Sequence, residues 1–93
     1  MKLLQNQIRT QLARIGGWKR RGRQISKLYV FDAFMGGMRF LNRVAKLAEA
    51  MNHHPDVDIR YNKIKLTLTT HDEGGLTMKD FGLARKIDKM KRH

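Results

Sequence analysis

Four side chains within one stretch of this chain have the chemistry to move protons. Between Glu49 and His71 lie three of the four histidines, His53, His54 and His71, together with the only proline, Pro55. An imidazole titrates near neutral pH, so it gives and takes a proton with little tuning. Glu49 stands four residues before His53 and can orient or charge-stabilise one ring. Two other readings stand beside acid–base chemistry. Three imidazoles supply enough nitrogens for zinc, although adjacent histidines are not a usual ligand spacing and the chain has no cysteine. Histidines at element ends also often do no more than satisfy local hydrogen bonds.

The elements that must position these groups follow from periodicity. A helix is expected from a cap at Asp32 to about Asn52. Its apolar residues fall in two stripes: Phe34, Met38, Leu41, Ala45, Ala48, and Phe40, Val44, Leu47, Met51. The second stripe reads either as core or as an oligomer interface. Gly36-Gly37, early in the helix, allow close approach to a neighbour. Pro55 pushes His54 out of the helical region, so the two adjacent histidines leave the corner in different directions. The helix C-terminus carries partial negative charge, which suits an imidazolium. A short strand follows from Asp56 to Tyr61, then a turn at Asn62-Lys63. The strand from Lys63 to His71 sets Ile64, Leu66 and Leu68 on one face and Lys65, Thr67, Thr69 and His71 on the other. Past a turn at Asp72–Gly75, Thr77-x-x-Asp80 has capping-box spacing and opens a last helix that buries Leu83, Ala84, Ile87 and Met90.

Upstream, Leu4, Ile8, Leu12 and Ile15 mark an amphipathic helix over residues 3–15, stopped by Gly16-Gly17. Trp18 is a packing residue or the wall of a pocket for a planar ligand. Lys19–Arg23 reads as a basic hairpin turn around Gly22, and Gln24–Phe31 as a strand. The order is α-β-β-α-β-β-α. It specifies a single α+β domain, residues 1–93, with helices packed on one face of a four-stranded antiparallel sheet.

The chain has 93 residues and a net charge of +12. The excess sits at the ends. Residues 1–28 carry eight Lys or Arg and no acid, residues 29–84 balance, and residues 85–93 carry five bases and one acid. Such ends attract nucleic acid, anionic lipid or an acidic partner, or simply form a solvated basic surface. An acid-free, Arg-containing N-terminus also has transit-peptide composition, but the segment reads as part of the fold. The absence of cysteine excludes a disulfide framework and a thiol nucleophile. No run is apolar enough to span a bilayer, and a cytoplasmic protein without membrane partners is the expectation.

Glu49-x-x-x-His53-His54-Pro55, Tyr61, His71 and Asp80, in that spacing, resemble the pterin-4a-carbinolamine dehydratase family. The flanks agree: Gly17-Trp18, Tyr29-x-Phe31, Val44-Ala45-x-x-Ala48-Glu49, Tyr61-Asn62, Thr70-His71-Asp72 and Gly74-Gly75-Leu76-Thr77. The resemblance covers about residues 4–88. It implies a 4a-hydroxytetrahydrobiopterin dehydratase, a hydro-lyase that forms the quinonoid dihydropterin and so recycles tetrahydrobiopterin for aromatic amino acid hydroxylases. It implies no cofactor and no metal. His53, His54 and His71 would then be catalytic, with Glu49 beside them, one imidazole protonating the leaving hydroxyl and another taking or relaying the N5 proton. Asn52, Thr69, Thr70, Trp18 and Pro55 would shape the pterin pocket. Homodimers or homotetramers are common in the family. The sequence departs from the family at Asn52, often Asp, and at Val57-Asp58, where an aromatic is usual. The alternative on the same fold is a non-catalytic role, as dimerisation cofactor of a transcription factor or assembly chaperone of a carboxylating enzyme.

Overall fold

Alternating apolar residues on two adjacent strands fix the centre of the molecule. The computed structural model describes residues 1–90. Strand β2 (Gln24–Val30) buries Ile25 and Tyr29, and β4 (Lys63–Leu68) buries Ile64, Leu66 and Leu68. Their antiparallel register sets Ile25 against Leu68 and Tyr29 against Ile64, so the buried residues share one face. Strands β1 (Lys19–Arg21) and β3 (Asp56–Arg60) add the edges, giving the order β1-β2-β4-β3, antiparallel throughout. The opposite face carries exposed Leu28, Val30, Lys63 and Lys65.

Three helices, α1 (Gln5–Leu12), α2 (Phe34–Met51) and α3 (Met78–Lys89), contribute to the core. They supply Ile8, Phe40, Val44, Ala48, Phe81, Leu83, Ala84 and Ile87. Each such large side chain, fully buried, contributes roughly 1.5–3 kcal/mol of transfer free energy. Phe40 stacks at 4.8 Å from Tyr29 and 5.0 Å from Phe31, and Trp18 meets Tyr29 edge-on at 6.3 Å. Gly37 allows the close approach of α2 to the sheet: a Cβ there would lie 3.0 Å from Ile64 Cδ1. The α+β class, the helix and strand order and the hairpin around Gly22 all match the expectation from periodicity.

Several local expectations are corrected. Asp32 does not cap α2. Ala33 occupies the cap position, and it makes no side-chain capping hydrogen bond. The stripe of α2 that enters the core is Phe40 and Val44, with Gly37 and Ala48, while Phe34 is 43% exposed and Ala45 is exposed. The second stripe is therefore core, one of its two expected readings, and the first leaves Phe34 and Ala45 at the surface while burying Ala48. The β3–β4 turn falls at Tyr61-Asn62, one residue earlier than expected, with Tyr61 in the left-handed region at φ 54°. β4 ends at Leu68, and His71 begins a 3₁₀ turn, His71–Glu73. Of the basic C-terminal residues 85–93, those to Lys89 belong to α3, and residues 91–93 lie outside the described residues.

Candidate functional site

The end of α2 builds one wall. Asn52 takes the left-handed conformation (φ 51°), and its N–H reaches back to Glu49 O. The next N–H, of His53, donates to Ala48 O at 3.0 Å, which completes the helix end. That turn sends His53 inward, where it is buried, and leaves His54 exposed. The His54 ring pairs through Nε2 with the Glu49 carboxylate, and both groups face solvent.

The opposite wall is the segment between β4 and α3. Thr70 and Gly75 exchange backbone hydrogen bonds, closing the loop that carries the 3₁₀ turn and His71. Beneath it lies Asp80, fully buried, at the third position of α3. Asp80 Oδ2 accepts from the Thr77 N–H (2.9 Å) and from Thr70 Oγ1 (2.8 Å), while Oδ1 lies 2.6 Å from His53 Nε2. Donor counting leaves one consistent arrangement. Lys79 N–H donates to Thr77 Oγ1, the Thr77 hydroxyl to Thr70 Oγ1, and Thr70 to the carboxylate. Asp80 accepts throughout that scheme, so His53 Nε2 faces it as the donor, and Nδ1 is the ring nitrogen outside the pair.

Asn52, His53, His54, Thr69, Thr70, His71, Asp72 and Lys79 line one polar cleft of about 300 Å³. The three histidines thus meet, as do Asn52, Thr69 and Thr70. Thr70 is committed to Asp80, and Thr69 Oγ1 donates to Arg23 O at 2.6 Å. The His71 ring is exposed and makes no hydrogen bond among the described residues. Two expected pocket residues lie elsewhere. Pro55 lines an adjoining apolar groove between α2 and β3, with Leu41, Val44, Ala45 and Val57; Glu49 and His54 line that groove too, and Glu49 does not line the histidine cleft. Trp18 is buried and donates from Nε1 to Asp88 Oδ2 at 2.7 Å. The same carboxylate accepts from Tyr29 Oη and Lys27 Nζ. The residue that sequence reasoning placed outside the site is Asp80. Its capping spacing was legible, but nothing local in sequence links it to His53, 27 residues away. Among the described residues, no three His, Asp or Glu side chains converge as a metal-ligand group, and no helix is long and apolar enough to cross a membrane.

A helix end and a strand–turn–helix loop that bring three histidines to one cleft, over a buried carboxylate bonded to one of them, define a class of small α+β domain. The family described as pterin 4 alpha carbinolamine dehydratase matches residues 1–90, and the chain belongs to it. A protein of Sulfurisphaera tokodaii, provisionally named pterin-4-alpha-carbinolamine dehydratase, is 47% identical over 96% of both chains. One of the same provisional name from Thermomicrobium roseum is 51% identical over 86% of both. A solved transcriptional coactivator/pterin dehydratase from Brucella melitensis superposes with a TM-score of 0.91 at 30% identity, covering 95% of this chain and 96% of that one. A pterin dehydratase-like RuBisCO assembly factor of the alpha-carboxysome shares the fold, with a TM-score of 0.62 at 19% identity over 76% of this chain and 82% of that one.

Proposed function

We propose that this cleft dehydrates a 4a-hydroxytetrahydropterin to the quinonoid dihydropterin. The observation that carries the reading is the meeting of His53, His54 and His71 on one polar cleft in a chain of this family. The elimination needs two proton movements. The C4a–O bond breaks as the hydroxyl takes a proton and leaves as water. The N5–H proton passes to a base as the C4a=N5 double bond forms. His54, paired with Glu49, is assigned the first transfer, and His71, whose ring makes no hydrogen bond among the described residues, the second. His53 turns Nδ1 away from Asp80, which holds Nε2. The Asn52 amide and the Thr69 hydroxyl lie within the same cleft, suited to the polar edge of a pterin. One proton is given and one is taken, so solvent exchange returns both rings to their starting state with the net loss of one water.

In a cell this step would recycle tetrahydrobiopterin for aromatic amino acid hydroxylases. A homodimer or homotetramer is supported by the apolar groove between α2 and β3, continued along the free edge of β3 by Val57 and Ile59, each about 40% exposed. A non-catalytic second reading rests on the Brucella relative, titled a coactivator as well as a dehydratase, and on the basic N-terminal residues. It predicts a complex with an acidic partner or nucleic acid that weakens steeply with salt. The dehydratase reading is tested by generating 4a-hydroxytetrahydropterin in a stopped-flow mixer. Acceleration of its decay over buffer supports the reading, and decay at the buffer rate refutes it.

A further inference from the structure

Three clefts lie side by side around the Gly74-Gly75 turn. The histidine cleft shares Thr69 and His71 with a second, of about 260 Å³, whose other lining residues are Arg23, Gln24, Gly74 and Gly75. The second shares Arg23, Gly74 and Gly75 with a third, of about 140 Å³, which adds Lys2 and Arg20. Asp72 lines the histidine cleft, but no acid lines the second or third. Glu73 beside them is occupied by the N-terminal ammonium at 3.2 Å.

The three cations are placed but not neutralised. Arg20 donates to the Gly22 carbonyl at 2.8 Å and to the Gln5 amide oxygen, both uncharged acceptors. Neither Arg23 nor Lys2 has a carboxylate partner among the described residues. Glycine keeps the route low. A Cβ on Gly75 would stand 2.8 Å from Lys2 Cδ, so the lysine stem lies directly against the bare backbone of the turn. A polar path therefore runs from the imidazoles over two glycines to a patch of uncompensated positive charge.

We propose that this basic patch holds a phosphate at the end of the pterin side chain, so that the preferred substrate is a pterin whose side chain is a phosphate monoester. The inference rests on the dehydratase reading above. A phosphate monoester brings a charge of about −1.5 to −2 near pH 7 and three acceptor oxygens, which suit two guanidinium forks and an ammonium. A neutral hydroxylated side chain would leave all three cations unanswered.

The test compares the 4a-hydroxy adducts of tetrahydroneopterin and of its 3′-monophosphate as substrates. The wild-type protein is expected to show kcat/KM roughly tenfold or more higher for the phosphate ester, a gap that narrows with added salt. The double variant Arg20→Gln/Arg23→Gln removes that preference while turnover of the neutral substrate stays within about twofold. Inorganic phosphate competes with the ester and leaves the neutral substrate untouched. Equal kcat/KM for the two adducts in the wild type, or a double variant that slows both alike, overturns the phosphate assignment and leaves the dehydratase intact. Turnover of neither adduct overturns both.

Discussion

His53 Nε2 lies 2.6 Å from Oδ1 of Asp80, a carboxylate that also caps the helix beginning at Met78. One buried side chain thus holds both a fold element and the orientation of a cleft histidine. Removing it leaves the Thr70 hydroxyl, the Thr77 N–H and the His53 Nε2–H without their acceptor. Asp80→Ala is expected to cost about 3–5 kcal/mol, read as a shift in urea midpoint. Asp80→Asn keeps the volume and part of the cap and is expected to cost less, about 2 kcal/mol. In that folded variant, nitrogen NMR of the His53 ring should report a changed proton distribution between its two nitrogens. An unchanged ring spectrum would show that Asp80 does not set it.

Glu49 and His54 form the exposed counterpart of that buried pair. An ion pair open to solvent adds little stability, so Glu49→Gln should leave the denaturation midpoint unchanged. If Glu49 orients the His54 ring for proton transfer, kcat falls by roughly tenfold with KM nearly constant. A KM effect alone would assign Glu49 to binding.

Trp18 belongs to a separate network at the far end of α3, where Asp88 accepts from Trp18 Nε1, Tyr29 Oη and Lys27 Nζ. Asp88→Ala should cost about 1–3 kcal/mol, because the buried indole N–H loses its acceptor. Trp18→Phe should destabilise by a similar amount through lost packing and leave KM for the pterin within about twofold. A large KM change in Trp18→Phe would return Trp18 to the pocket.

The paired glycines of α2 are expected to separate cleanly. A Cβ at Gly36 meets nothing closer than 3.8 Å, so Gly36→Ala should stabilise by about 0.5–1 kcal/mol through helix propensity. At Gly37 the same methyl presses on Ile64 Cδ1, and overpacking of about 1–3 kcal/mol outweighs that gain. Thermal melts of the two variants should move in opposite directions.

These contrasts show what was legible in the sequence. The strand alternation of Ile64, Leu66 and Leu68 and the Thr77–Asp80 capping box are short-range patterns, and those elements formed there, whereas α1 ends at Leu12, ahead of the expected Gly16-Gly17 stop. His53 and His54 were legible as a divergent pair because Pro55 acts on its immediate neighbour. What failed depends on the third dimension. His71 left the strand because Thr70 pairs with Gly75 and closes the loop, a contact that alternation does not encode. The stripe of α2 that faces the sheet depends on the approach permitted by Gly37, not on apolar count. Trp18 was drawn from the cleft by Asp88, 70 residues away.

The central claim is that histidines in the Asn52–Lys79 cleft carry the proton transfers. Single-turnover stopped flow with 4a-hydroxytetrahydropterin, comparing wild type with His54→Ala and His71→Ala, tests it most directly. Each variant is expected to fold, since both rings are exposed, and to lose roughly 10²–10⁴-fold in the dehydration rate, the usual contribution of a positioned general acid or base. Wild-type rates in both variants would contradict the account.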